Sequence, residues 1–134
     1  MKKIIIAGGR NFYNYNLLKE KLDKLKNQIG DFEIVSGKAS GADSLGEKYA
    51  KENRLIIHEF YAPWNDIQNK PYSELGKRKD GSSYWKLAGP FRNEQMAKFS
   101  DGCIVFWDGK SSGTKNMIEL AKKYKLSLAI IRYE

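Results

Sequence analysis

This chain has almost none of the residues that build disulfides, zinc sites or histidine-based catalysis. Its 134 residues include one cysteine, Cys103, and one histidine, His58. A lone cysteine excludes an intrachain disulfide, and without a Cys/His cluster no metal site is expected. Cys103 sits in the apolar run Cys103-Ile104-Val105-Phe106 and reads as a small core residue. No apolar run approaches the ~20 residues that cross a bilayer. The opening Ile4-Ile5-Ile6-Ala7 stops at Gly8-Gly9-Arg10, so it reads as a buried strand, not a targeting segment. No membrane partner is expected, and a cytoplasmic location is the default. Acidic residues are also short: 16 against 24 Lys and Arg, for a net charge of +8. Such a balance favours anionic partners.

With 41% apolar and 13% aromatic residues, the chain has the makings of one folded domain with one core. Short apolar runs alternate with amphipathic stretches. Ile4–Ala7, Phe32–Val35, Leu55–Ile57, Cys103–Trp107 and Leu128–Ile131 read as strands. Leu18, Leu22, Leu25 and Ile29 recur at helical spacing, stopped by Gly30. Further helices are expected around Ala42–Ala50, after Gly89-Pro90, and from Thr114. The pattern predicts an α/β, Rossmann-like fold: a five-stranded parallel sheet, order 3-2-1-4-5, with helices on both faces. Residues 61–88 read as a long irregular insert holding Pro63, Pro71 and the cluster Lys77-Arg78-Lys79.

Three glycine-bearing loops follow strands. They read Gly8-Gly9-Arg10, Ser36-Gly37-Lys38-Ala39-Ser40-Gly41-Ala42-Asp43, and Asp108-Gly109-Lys110-Ser111-Ser112-Gly113-Thr114. Glycine lets backbone approach a ligand closely, and the helix N-termini beyond present unpaired N–H groups. None is a dinucleotide fingerprint or a Walker A loop. Arg10 offers a bidentate phosphate contact, and Asn11-Phe12-Tyr13-Asn14-Tyr15 offers aromatic faces for a base. Asp43 reads either as a bond to a ribose hydroxyl or as a cap on its own helix. The Asp108 loop reads as a ligand loop or as a capped turn with Ser112 or Thr114 at the cap. Arg92-Asn93 is expected in the first turn of its helix. A positive charge there calls for an anion or a nearby acid.

Together these stretches, with Ala88-Gly89-Pro90-Phe91-Arg92-Asn93-Glu94 and Met117-Ile118-Glu119, resemble the YspA-like branch of the SLOG superfamily over nearly the whole chain. The resemblance implies one SLOG-type Rossmann-like domain over 1–134 and a pocket for a nucleotide-derived small molecule, such as an ADP-ribose-like or cyclic nucleotide. It also implies a sensor or sequestering role, and homo-oligomers. The insert resembles that of phage and mobile-element members, which suggests defence or counter-defence. The expected ligand set is Gly8, Gly9, Arg10, Ser36, Gly37, Gly41, Ala42, Asp43, Arg92, Asn93, Asp108, Gly109, Ser111, Gly113 and Thr114. The related Lonely Guy phosphoribohydrolases carry a catalytic glutamate where this chain has Met117, so no catalytic residue is assigned and activity leans to none. The alternatives are such a hydrolase, with Asp43 or Asp108 as acid, or a DprA-like nucleic-acid-binding protein using Lys77-Arg78-Lys79, Tyr84 and Trp85. Trp64, Tyr72, Tyr84 and Trp85 are also candidates for an interface between copies.

Overall fold

A computed structural model describes residues 1–133. Its main sheet is formed by β1 (Lys3–Gly8), β2 (Glu33–Ser36), β3 (Ile57–Glu59), β6 (Gly102–Trp107) and β7 (Ser127–Arg132). All four pairings are parallel, in the order β3-β2-β1-β6-β7. That is the expected 3-2-1-4-5 arrangement once the sheet's own strands are counted. The insert supplies the two extra strands, β4 (Leu75–Lys77) and β5 (Ser83–Trp85), as a separate antiparallel hairpin.

The alternation of β1 explains the layering. Ile4 and Ile6 point to one face, where they pack with Leu18 and Leu22 of α1 (Tyr15–Ile29) and Tyr49 and Ala50 of α2 (Ala42–Glu52). Ile5 and Ala7 point to the other, against Met96 and Ala97 of α3 (Ala88–Phe99) and Met117, Ile118 and Ala121 of α4 (Ser112–Lys123). Ile5, Ile6, Leu18 and Leu22 have no solvent exposure. Each such side chain contributes about 1.5–3 kcal/mol through burial.

Element ends depart from the sequence expectation for local reasons. The third strand begins at Ile57, not Leu55, because the Leu55 N–H closes the end of α2 on the Ala50 carbonyl. Helix α3 begins at Ala88, so Pro90 is its third residue, where no intrahelical N–H bond is lost. Arg92 therefore lies in the second turn. Helix α4 is capped by Ser111, whose Oγ accepts the Thr114 N–H, and neither Ser112 nor Thr114 is the cap.

Residues 61–88 are not irregular throughout. A 3-10 turn at Tyr72–Glu74 leads into the hairpin. Trp85 is buried beneath it, with its indole N–H on Glu74, Lys70 over its ring and Phe91 against its edge. Trp85 therefore offers no free face to a base or to another copy. Nor are Lys77, Arg78 and Lys79 three equivalent free cations. Arg78 donates to the Ser83 carbonyl, Ser82 Oγ and Asn65 Oδ1, and lies over Tyr84, so it clamps the hairpin.

Candidate functional site

The carboxyl ends of β1, β2 and β6 converge on one side of the sheet, and their loops enclose a cavity of about 600 Å³. Gly8, Gly9 and Arg10 line it from β1, Asp43 from the start of α2, and Arg92 and Asn93 from α3. Asp108, Ser111, Gly113 and Thr114 line it from the β6–α4 loop. Five other residues expected at the site do not line the cavity. Ser36 is buried and donates to Glu47 Oε2 at 2.6 Å, while its Oγ accepts the Lys38 N–H. Gly109 turns its loop beside Arg132. Gly37, Gly41 and Ala42 shape the walls.

Gly41 shows why a glycine is needed there. Its φ of 76° is left-handed, and a Cβ would fall 2.2 Å from the Gly9 carbonyl oxygen. The same carbonyl accepts the Ala42 N–H, which stitches the first two loops together. Gly37 lies under the charged residues. A Cβ there would come within 3.0 Å of Asp43 Oδ2 and 3.1 Å of Arg92 Cζ.

The loop after β6 holds its own shape. Asp108 Oδ1 accepts the N–H groups of Lys110 and Ser111, both at 2.8 Å, and these bonds keep its carboxyl below the usual range. Thr114 Oγ1 donates to Ser111 Oγ at 3.2 Å. Asn93 spans from α3 to α4, donating to Asn116 Oδ1 at 3.0 Å.

Residues 2–66 match the family described as YspA, cpYpsA-related SLOG, or YAcAr. Over that stretch, just under half of its length, the chain is similar to YspA-like SLOG proteins. A comparison with curated proteins finds no match. Among solved structures, the chain is similar to DNA processing protein A (DprA) from Streptococcus pneumoniae, with TM-score 0.70, 20% identity and 99% of this chain covered. It is similar also to DNA processing protein A from Helicobacter pylori, described for its single-stranded DNA binding mode, with TM-score 0.68, 22% identity and 99% covered. The chain spans 50% of the first protein and 66% of the second. At these identities the likeness is one of fold.

Within this fold the charges are unequally settled. Asp43 is only 5% exposed. Burial pushes its carboxyl up to about 6, although Arg92 and the N–H groups of Ala39 and Gly37 pull the other way. Asp43 does not cap its own helix; it accepts N–H groups of the loop before it. Arg92 donates from Nη1 to the Gly37 carbonyl and from Nε to Asn93 Oδ1 at 3.0 Å. Burial and the nearby Arg10 lower its pKa, while Asp43 raises it. Asp43 is thus the acid whose charge reaches this half-buried arginine. Arg10, by contrast, is exposed at the cavity wall.

Sequence reasoning missed part of the lining. Trp64 and Lys86 enter from the two ends of the insert, Asn116 from α4, and Tyr133 from beyond β7. In the segment after Arg10, Asn11 lines the cavity and Tyr13 is exposed, but the other aromatics do not line the cavity. Instead Phe12 is buried and stacked on Phe106 with centroids 4.8 Å apart, Tyr15 donates to Glu52, and Asn14 caps α1. His58 lies elsewhere, bonded to Glu33 Oε1 at 2.6 Å. Among the described residues, no cluster of His, Cys, Asp or Glu has the geometry to hold a metal ion. No helix of the described residues is long and apolar enough to cross a membrane.

Proposed function

We propose that this chain binds nucleotide units through the cavity, and that those units belong to a single-stranded nucleic acid. The observation that carries the reading is that Arg10 and Arg92 both line the cavity, near enough for Arg10's charge to be felt at Arg92, beside close-packed glycine loops. Arg10, Arg92 and Lys86 against Asp43 and Asp108 leave the lining net positive, and guanidinium groups suit phosphate oxygens. The net charge of +8 draws a polyanion. The fold likeness to DNA processing protein A, described for single-stranded DNA binding, supports a strand over a duplex.

Capture of a free nucleotide-derived molecule, as sensor or by sequestration, is the second reading. The cavity's size favours it, since about 600 Å³ lies in the range of small-molecule sites. Hydrolysis has weaker support. Asp108 is engaged by its own loop and Met117 is buried, so an acid would have to be Asp43.

Fluorescence anisotropy with a labelled decathymidylate tests the main reading. Binding that weakens steeply with salt, and weakens further in Arg10→Ala, is expected. No binding at low salt, together with a nucleotide released from the denatured protein and seen by mass spectrometry, would transfer the proposal to free-nucleotide capture.

A further inference from the structure

The chain has three tryptophans, at positions 64, 85 and 107. Two are bolted into the protein by their indole N–H groups, Trp85 to Glu74 at 3.0 Å and Trp107 to the Ser111 carbonyl at 3.1 Å. Among the described residues, the Trp64 indole N–H has no such bond. Trp64 is also half-buried and lines the cavity, at the side formed by the insert.

Its position is held from the backbone. The Trp64 carbonyl accepts the Trp85 N–H at 2.8 Å, and its own N–H closes a turn on Ala62 at 2.9 Å. Tyr84 meets the ring edge-on, with centroids 6.3 Å apart, and Arg78 stiffens Tyr84 in turn. The six-membered ring of Trp64 reaches Gly89, where an added Cβ would stand 3.3 Å from Cη2. A hairpin whose strands are only three residues long is thus braced by several side chains around one indole that bonds to nothing through its own nitrogen.

From these observations, and resting on the reading of the cavity as a nucleotide site, we propose that Trp64 is its base platform. The insert supplies a stacking surface for one base, while Arg10 and Arg92, which line the same cavity, take phosphate. Lys86, at the insert's other end, carries a charge for the neighbouring phosphate. An aromatic face accepts any base, so the platform selects for the presence of a base and not for its identity. The insert is then part of the binding site.

The test compares decathymidylate with a strand of equal length made wholly of abasic tetrahydrofuran residues, which keeps every phosphate and removes every base. Wild-type protein is expected to favour the base-bearing strand, with tryptophan emission quenched by that strand alone. Trp64→Leu keeps apolar bulk over Gly89 and is expected to lose roughly ten-fold in the preference. Trp64→Phe, with a smaller ring, is expected to retain part of it. Thermal unfolding of both variants checks that the fold persists. Equal binding of the two strands by wild type, or an undiminished preference in Trp64→Leu, overturns the platform and leaves the phosphate site standing. Failure to bind either strand overturns both.

Discussion

Asp43 and Arg92 both close in on Gly37, with the carboxylate and the guanidinium each about 3 Å from where a Cβ of that glycine would lie. The guanidinium spends one N–H on the Gly37 carbonyl, and the carboxylate accepts N–H groups of the same loop. The loop after β2 is therefore held by the two charges that face the cavity, and a change in either is felt by both.

The first consequence concerns pH. Burial raises the Asp43 carboxyl from 3.8 to about 6 in the folded protein. Between those values the folded chain keeps a proton that the unfolded chain has released. Asp43 therefore favours folding most below about pH 4, and this advantage is lost as pH rises through 6, a cost on the order of 3 kcal/mol at neutrality. Protonation also removes the negative charge beside Arg92. Affinity for a phosphodiester strand, which does not titrate here, should rise several-fold from pH 7.5 to 5.5. Asp43→Asn should flatten that profile, and a wild-type profile flat over the same range would refute the coupling.

A second prediction separates the two arginines. Arg10 is exposed, so Arg10→Ala should leave the midpoint of thermal unfolding within a degree or two of wild type. It should still lower the slope of log affinity against log salt by about 0.7 for a single strand. Arg92→Ala should lower the slope similarly, and should also destabilise by about 1–3 kcal/mol by leaving the Gly37 carbonyl without its donor and Asp43 without the nearby positive charge. In Arg92→Ala/Asp43→Asn the two losses should be clearly less than additive. Additive losses would mean that the residues act independently.

Much of this arrangement is legible in the sequence because it is local. Glycines after apolar runs mark the loops, and the run Ile4–Ala7 marks the central strand by its lack of polar positions. Arg92 stands out as a charge near a helix start, although it lies one turn deeper and is answered by Asp43. What escapes the sequence depends on contacts distant along the chain. Phe12 reads as a free aromatic until Phe106 and Tyr133 cover it. Trp85 reads as exposed until Glu74, Lys70 and Phe91 enclose it. The three-residue strands of the insert are too short for periodicity to reveal. Trp64 and Lys86 can be assigned to the cavity only once the insert has a shape.

The insert yields a third prediction. Arg78 joins the hairpin to Asn65 as well as to Ser82 and Ser83. Arg78→Ala should loosen residues 61–88 without unfolding the sheet, seen as faster limited proteolysis within the insert at a nearly unchanged thermal midpoint. Lys79→Ala should leave proteolysis as it was. If Arg78 acted only as a surface charge, the two variants would behave alike.

The last prediction turns on Gly41, where the first two loops touch. Its left-handed φ and the 2.2 Å that would separate an added Cβ from the Gly9 oxygen mean that Gly41→Ala carries two penalties, backbone strain and a collision with rigid backbone. The Gly9 carbonyl would have to move, and with it the bond to the Ala42 N–H that joins β1 to the start of α2. Destabilisation of more than about 1 kcal/mol is expected. Because Arg10 is next to Gly9, strand affinity should fall in the same variant even at temperatures where the protein remains folded. Gly81 also has a positive φ, of 89°, but nothing lies within 4 Å of an added Cβ. Gly81→Ala should therefore show the strain alone, with unaltered binding. Equal effects of the two substitutions on affinity would separate the loop junction from the phosphate site.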